Sequence, residues 1–284
     1  MNQSLIRDLV QGVNGVMFPP GCCSDFVNHP AGREAVEIAT VWDHRFAFYF
    51  WLCWQFKDRP SNEKLTSLRD ANPPDLLTVD WHNDVGSNSD WQYGLLERLN
   101  PQERTELGLY CWLGLHPQND GQILPAVYLN AIRNVHVILK QHREQRQANP
   151  DSYHRPFEDR FGQEHEIHYY WSADEFLERN ELAQEYPAIF DLDLDYFTQY
   201  DGTDFPTRNS AELVSDDEVR ELIHPEGELM EWVLPRLAGM TIALEPEFCG
   251  GIPNCLHLLN LVSEMLFDPA LFRHNFGWRR PWNG

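Results

Sequence analysis

Short apolar runs of strand length alternate along this chain with longer segments of helical character. Strands are predicted over 34–42, 74–80, 135–139, 167–171, 240–244 and the apolar part of 188–197. Helices are predicted over 46–56, 124–134 and 252–267, from Ser172, and from Ser215 to just before Pro235. This alternation is typical of an α/β fold, so we expect a three-layer α/β/α arrangement around a mostly parallel sheet.

We treat the chain as one domain, 1–284, which is long enough to bury a substantial core. The polar stretches 141–166 and 198–213 are predicted to be long surface loops inserted into that domain. The longest apolar stretch, 46–56, is too short to cross a bilayer, and the N-terminus does not resemble a signal peptide. We therefore expect a cytoplasmic protein with no membrane partner, and its oligomeric state stays open, a homo-oligomer included.

The formal net charge of −22 excludes some classes of partner. A field this negative repels nucleic acid and anionic lipid, and it attracts cationic substrates or metal ions. The six cysteines contain no CxxC pair, which argues against a zinc ribbon. A basic substrate or a bound cation is the partner that this composition favours.

Acidic and histidine side chains mark the ends of three predicted strands, and ligands of open α/β sheets bind beyond the carboxyl ends of strands. These side chains are His44 in "VWDHRF", Asp80, His82 and Asp84 in "TVDWHNDVG", and Asp191, Asp193 and Asp195 in "AIFDLDLDYF". The last two motifs share an i, i+2, i+4 spacing, which places side chains on one face of an extended chain. We expect the seven groups to converge in one crevice.

Each of these residues alone has an ordinary structural explanation. His44 could be a hydrogen-bonded histidine beside the core, Asp80 a helix N-cap, and Asp191 the partner of an arginine. Together they are costly to bury unless they bind a cation. Because oxygen donors outnumber imidazoles, manganese is favoured, with iron, cobalt and magnesium as alternatives. Two ions are predicted, since this many carboxylates around one ion would leave excess negative charge.

The motifs also resemble those of a known family, the ureohydrolases. "DWHND" resembles their D-x-H-x-D signature, "DLDYF" resembles their D-x-D signature, and "WDH" ends its strand where they carry a lone histidine ligand. "VWDHRFAFYFW", "NDGQILPAVYLNAIRNVHVI" and "MTIALEPEF" are similar to a divergent branch of the arginase–deacetylase fold. That branch is similar to the peptide arginases of cyanobacterial natural-product pathways, which convert arginine side chains in a precursor peptide to ornithine.

The resemblance implies a particular set of metal ligands. One ion would be held by His44, Asp80, Asp84 and Asp193, and the other by Asp80, His82, Asp193 and Asp195. Asp80 and Asp193 would bridge the two ions. Asp191 would then lie deeper in the strand, behind the ligands. The alternative pair, Asp191 with Asp193, stays open.

The resemblance also implies catalytic roles outside the ligand set. Asp84 would take a proton from water, Glu245 or Glu247 would hold the guanidinium, and His116 would protonate the leaving amine unless it is only a loop histidine. Gly86 stands where the family's enzymes for free arginine carry an asparagine that contacts the substrate carboxylate. An arginine inside a peptide has no such carboxylate, so this departure fits a peptide substrate.

The predicted function is therefore a manganese-dependent peptide arginase that releases urea and leaves ornithine in an arginine-containing precursor peptide. Two other functions stay open: another C–N hydrolase of the same fold, agmatinase-like or deacetylase-like, and a metal-binding module without catalysis.

Overall fold

A computed structural model describes residues 19–57, 64–101, 103–116, 120–140, 154–180, 186–199 and 211–279. Its strands are β1 Cys23–Val27, β2 Val36–Val41, β3 Asp75–Asp80, β4 Val135–Leu139, β5 His154–Glu158, β6 Glu164–Tyr170, β7 Ala188–Asp193, β8 Thr198–Gln199, β9 Glu212–Leu213 and β10 Leu237–Ala243. Its α-helices are α1 Ala47–Phe56, α2 Asp90–Leu96, α3 Arg104–Leu113, α4 Ile123–Tyr128, α5 Ala173–Asn180, α6 Asp216–Leu222, α7 Glu228–Val233 and α8 Ile252–Leu266.

Eight strands form one sheet in the order β1-β2-β10-β7-β3-β4-β6-β5, and β8 pairs with β9 separately. The six inner strands run parallel, and the outer strands β1 and β5 are antiparallel to their neighbours. The predicted α/β class with a mostly parallel sheet is confirmed. Parallel strands carry their carboxyl ends to the same edge, which brings the three predicted motifs together.

Helices cover both faces of the sheet. Alternate residues of β3 belong to different cores: Leu76 belongs to the same core as Trp51 of α1, and Leu77 belongs to the same core as Leu258 of α8. The helices α1–α4 lie on the first face, and α5–α8 lie on the second. Strands buried on both faces become nearly continuous apolar runs, which is why the inner strands were predictable from the sequence.

Helix α1 accounts for the most apolar stretch of the chain. Its residues from Ala47 to Leu52 are all buried, so this helix is apolar on every side because protein surrounds it. None of the helices in the described ranges is both long and apolar enough to span a membrane.

Two predicted helices are shorter than expected. The helix predicted over 124–134 ends at Tyr128, because Asn130 takes a left-handed φ of 55° and its side-chain amide donates to the Leu68 carbonyl at 2.7 Å. The helix predicted from Ser215 divides into α6 and α7, with Pro225 between them and Gly227 as the N-cap of α7.

The prediction of a loop over 141–166 is wrong for its second half. Residues 154–158 and 164–170 form an antiparallel hairpin, β5 with β6, at the outer edge of the sheet. Strand β5 is mostly exposed and β6 begins with exposed glutamates, so the strand predicted over 167–171 covers only the last part of β6. Residues 141–153 lie outside the described part of the chain. The second predicted loop, 198–213, begins and ends with the short pair β8 and β9, and residues 200–210 also lie outside the described part.

Candidate metal centre

The centre lies where β2, β3, β7 and β10 end. Asp80 is the last residue of β3, Asp193 is the last of β7, and Glu245 lies two residues after β10. His44 begins the 3-10 turn between β2 and α1. Asp80 and Asp193 project from the sheet face that α1 covers, because they alternate with Val79 and Leu192, which belong to the opposite core.

The first group of donors surrounds the imidazole of His44. Its Nδ1 lies 2.7 Å from Asp84 Oδ2, 2.9 Å from Asp193 Oδ2 and 3.3 Å from Asp80 Oδ2. All four residues are buried, and among the described residues neither His44 Nδ1 nor Asp80 Oδ2 has a partner with hydrogen-bond geometry. Donor atoms around an octahedral cation with bonds of about 2.1 Å lie about 3 Å apart. The spacing and the unpartnered atoms therefore fit a bound cation between them.

A second group lies beside the first and shares Asp80 with it. His82 Nδ1 is 3.0 Å from Asp195 Oδ2 and 3.8 Å from Asp80 Oδ1. Asp195 Oδ2 is buried without a hydrogen-bond partner. Asp193, Asp195 and Glu245 form a third set of converging donors. Because Asp80, Asp193 and Asp195 each belong to two of these sets, the geometry has room for two neighbouring cations with shared carboxylates.

Asp191 lies outside the sets of converging donors, on the other side of the His44 ring. One carboxylate oxygen lies 2.6 Å from His44 Nε2 and accepts the Thr78 hydroxyl at 2.8 Å, and the other accepts the Thr241 hydroxyl. Both threonines lie beside Asp191 in the strand register, one on β3 and one on β10. Asp191 therefore fixes the ring of His44 from behind, an arrangement common for metal-binding histidines.

The position at which β7 ends determines which aspartates lie near the donors of the other motifs. Asp193 closes the strand with its own side chain, which accepts the backbone N–H of Asp195 at 3.0 Å and begins a 3-10 turn. The turn brings Asp195 toward His82 and not further along the sheet. The preferred pair, Asp193 with Asp195, is thus the one that the structure brings together with the other motifs.

Two residues of the centre have unusual backbone angles. Asp84 has a φ of 46° and Glu245 a φ of 40°, in the left-handed region that costs a non-glycine residue about 1 kcal/mol or more. Both side chains turn into the cluster: Gln122 Nε2 donates to Asp84 Oδ2 at 2.6 Å, and Glu245 Oε1 accepts the His44 backbone N–H at 2.7 Å. Glu247 is exposed, so of the two glutamates only Glu245 is part of the centre.

Burial and the crowding of carboxylates favour the protonated forms of several groups in the cluster. Burial and the neighbouring Asp195 raise the pKa of Asp193 to about 7, and burial together with Asp84 raises the pKa of Asp80 well above its usual value. For His82, burial lowers the pKa, but Asp195 outweighs it and raises the pKa to about 9. A cation would replace these protons, as it does at metal sites in general.

His116 lies on a segment that is bound to the centre. Its Nδ1 is 2.6 Å from Asp120 Oδ1, and the Asp120 carbonyl accepts the Gly86 N–H at 2.6 Å. Gln122, two residues further on, donates to Asp84. These contacts join the segment around Asp120 to the loop that carries the metal-ligand motif.

Sequence spacing did not identify four residues of this neighbourhood: Thr78, Thr241, Asp120 and Gln122. The two threonines act from neighbouring strands, and the other two act from a distant loop. Only the fold brings them near the motifs, so no local pattern indicates them.

The centre opens on the side of His82. The side chain of His82 is 25% exposed, whereas those of His44 and Asp195 are fully buried. The rings of Trp81 and Phe248 lie 4.9 and 5.4 Å from the His82 ring. Aromatic side chains therefore flank the exposed edge of an acidic cluster.

No protein-family model matches this sequence, and no curated protein matches it. The donor geometry is therefore the basis for any functional conclusion.

Proposed function

We propose that this protein is a cytoplasmic dinuclear manganese hydrolase of the arginase–deacetylase type. In this proposal it cleaves the guanidinium of an arginine residue within a peptide, releasing urea and leaving ornithine. The observation that carries the proposal is the pair of buried donor groups that share Asp80 and contain unpartnered nitrogen and oxygen atoms.

The donors of this chain fit two divalent cations. His44, Asp80, Asp84 and Asp193 would hold one, and Asp80, His82 and Asp195 would hold the other, with Asp193 close to both. When bound, such a pair supplies Lewis acidity and makes water more acidic near neutral pH. Iron, cobalt or magnesium would suit the same oxygen-rich donors less specifically.

Asp84 is the proposed proton acceptor for the attacking water. Gln122 donates to its Oδ2, which holds the carboxylate in one orientation beside His44. Since the strained backbone of Asp84 also aims the side chain inward, the group is positioned before substrate arrives.

Glu245 is the proposed partner of the guanidinium. A buried carboxylate beside a planar cation forms strong charge-assisted hydrogen bonds. One oxygen of Glu245 accepts the His44 N–H, and a carboxylate retains further acceptor sites for a second donor.

His116 is the proposed donor of a proton to the leaving amine, and Asp120 orients it. A carboxylate bound to one ring nitrogen fixes the tautomer and leaves the other nitrogen for proton transfer. The role suits a partly exposed histidine whose partner Asp120 is hydrogen-bonded to Gly86, in the loop that carries Asp84.

The surroundings of Gly86 support a peptide substrate. A Cβ atom at this position would lie 2.6 Å from the Asp120 carbonyl oxygen, so no side chain can stand there without backbone movement. Position 86 therefore has no side chain that could donate a hydrogen bond to the α-carboxylate of free arginine. The nearby carboxylate of Asp120 would also repel that α-carboxylate. The net charge of −22 also favours a basic peptide.

The test is urea release by the full chain loaded with manganese. An arginine-containing peptide should give urea and an ornithine-containing product, at a higher rate than free arginine or agmatine, and metal analysis should find two ions per chain. Folded, metal-loaded protein that releases no urea from any guanidinium would contradict the proposal. One zinc per chain with deacetylation of an acetyl-lysine peptide would favour the deacetylase alternative.

Two matched variants test the assignment of the glutamates. Glu245→Gln should abolish urea release with little change in metal content, whereas Glu247→Gln should retain it. The opposite result would show that the exposed glutamate, and not the buried one, holds the guanidinium.

A further inference from the structure

A second group of metal-binding side chains lies outside the centre, on the β5–β6 hairpin. His154 of β5 is directly opposite His168 of β6, and Glu166 lies two residues before His168. Opposite residues and residues two apart share one face of an antiparallel pair. The three side chains therefore project from the same face of the hairpin.

Their donor atoms converge. Glu166 places one carboxylate oxygen 3.3 Å from His154 Nε2 and the other 3.0 Å from His168 Nε2, and the three donors lie within 4.8 Å of one another. Donors of a tetrahedral zinc ion with bonds of about 2.0–2.1 Å lie about 3.3 Å apart. The spacing of the group fits such an ion.

The ring of His168 is held in place by its neighbours. It stacks on His136 with an interplanar angle of 14° and a centroid distance of 5.4 Å. His136 is buried, and its Nδ1 lies 3.0 Å from the Tyr170 hydroxyl. A ring fixed in this way loses little further freedom when it binds a ligand.

We propose that the hairpin binds one zinc ion through His154, Glu166 and His168. Two imidazoles, one carboxylate and one position open to solvent form a zinc site of the open type. The ion would join β5 to β6 where the sheet ends. The inference does not depend on the function proposed above, because the three residues lie on other strands than the centre, with β4 between the hairpin and β3.

The test is histidine labelling with diethyl pyrocarbonate on the full chain, with and without zinc, read out residue by residue by mass spectrometry. The manganese centre is loaded first, so that the local readout reports on the hairpin. Zinc should protect His154 and His168. His257 is the internal control, because it is exposed and lies 2.8 Å from a single carboxylate, Asp216.

Glu166→Gln is the matched variant. It retains an amide oxygen that can accept hydrogen bonds, but it removes the charged ligand, so zinc affinity at the hairpin should fall roughly tenfold or more. The Glu166 side chain is 54% exposed, so the fold should persist, and circular dichroism checks this. The proposal is overturned if zinc protects the two hairpin histidines no more than His257, or if the variant is protected as well as the natural chain.

Discussion

Strand β3 begins and ends with a buried aspartate, and the two aspartates differ in their hydrogen-bond partners. At the first residue, Asp75 accepts hydrogen bonds from Arg133 through both carboxylate oxygens, with the Nε contact at 2.9 Å, and from the Asn134 N–H. At the last residue, Asp80 has an oxygen without a hydrogen-bond partner, and no lysine or arginine of the described residues pairs with it. One end contains its own cation, and the other has room for a cation from outside.

This contrast separates a structural carboxylate from a candidate ligand. Burial of a charge is tolerated when a partner neutralises it, and Asp75 satisfies that condition within the chain. Asp80 shares its environment with Asp84, Asp193 and Asp195, and among the described residues no lysine or arginine pairs with these four carboxylates, which lie around the imidazoles of His44 and His82.

Metal addition should have the largest effect. Free manganese at a thousandfold excess over the dissociation constant should stabilise the natural chain by about 4 kcal/mol per site, because only the folded state has the assembled donors. Thermal unfolding with manganese and with a chelator measures this.

Asp80→Asn should lose most of this response. In the presence of chelator, however, it should unfold no more easily than the natural chain, since it removes one charge from a crowded group. Equal stability of the natural chain with metal and with chelator would contradict the assignment of the centre.

Removal of the cation at the other end of β3 should have the second largest effect. Arg133→Ala should lower the free energy of unfolding by about 3 kcal/mol, because the buried Asp75 then loses its charged partner. Arg133→Lys should lower the free energy of unfolding by a smaller amount, since lysine keeps the charge but cannot contact both carboxylate oxygens as arginine does. Chemical denaturation measures both variants.

The response of Arg133→Ala to metal is the informative control. Manganese should stabilise this variant by the same increment as the natural chain, because the two ends of β3 are independent. A lost metal response would show that the ends are coupled and that the comparison fails.

The threonines behind His44 should have an intermediate effect. Thr241→Val removes one hydroxyl donor from the buried Asp191 at nearly constant volume, which should cost about 1–3 kcal/mol. Metal affinity should also fall roughly tenfold, because Asp191 then holds His44 less firmly. Calorimetric manganese titration measures the affinity, and an unchanged affinity would show that Asp191 does not position the ligand.

Five of the six inner strands, β2, β3, β4, β7 and β10, were predictable because each is a mostly buried run with a clear end. For β6 the prediction covered only the last part, because the strand begins with exposed glutamates. The edge strands β1 and β5 were not predictable, since an edge strand takes its register from a neighbour and needs no apolar run. The same distinction applies to the centre. The spacing of "DWHND" and "DLDLDYF" predicted which side chains could share a face.

Spacing alone could not decide between Asp191 and Asp195, because the i, i+2, i+4 pattern treats the three aspartates alike. The decision depends on where β7 stops and the 3-10 turn begins, and on hydroxyl groups from two other strands. Both depend on tertiary structure, which a local spacing pattern does not encode.

Asp120 differs from both Asp75 and Asp80, because its carboxylate is partly exposed. Its substitution should cause the smallest change in stability. Its side chain is 41% exposed and pairs with His116, so Asp120→Asn should alter the free energy of unfolding by less than about 1 kcal/mol. Urea release should nevertheless fall, because the amide no longer fixes the tautomer of His116, and metal content should stay the same.

His116→Ala should lower the rate further, by roughly a hundredfold or more if the histidine transfers a proton. Urea release over a range of pH separates the two roles: a proton donor changes the alkaline limb of the profile, whereas a loop histidine leaves its shape unchanged. A natural rate in both variants would remove the pair from the catalytic proposal and leave the donor geometry at Asp80 unaffected.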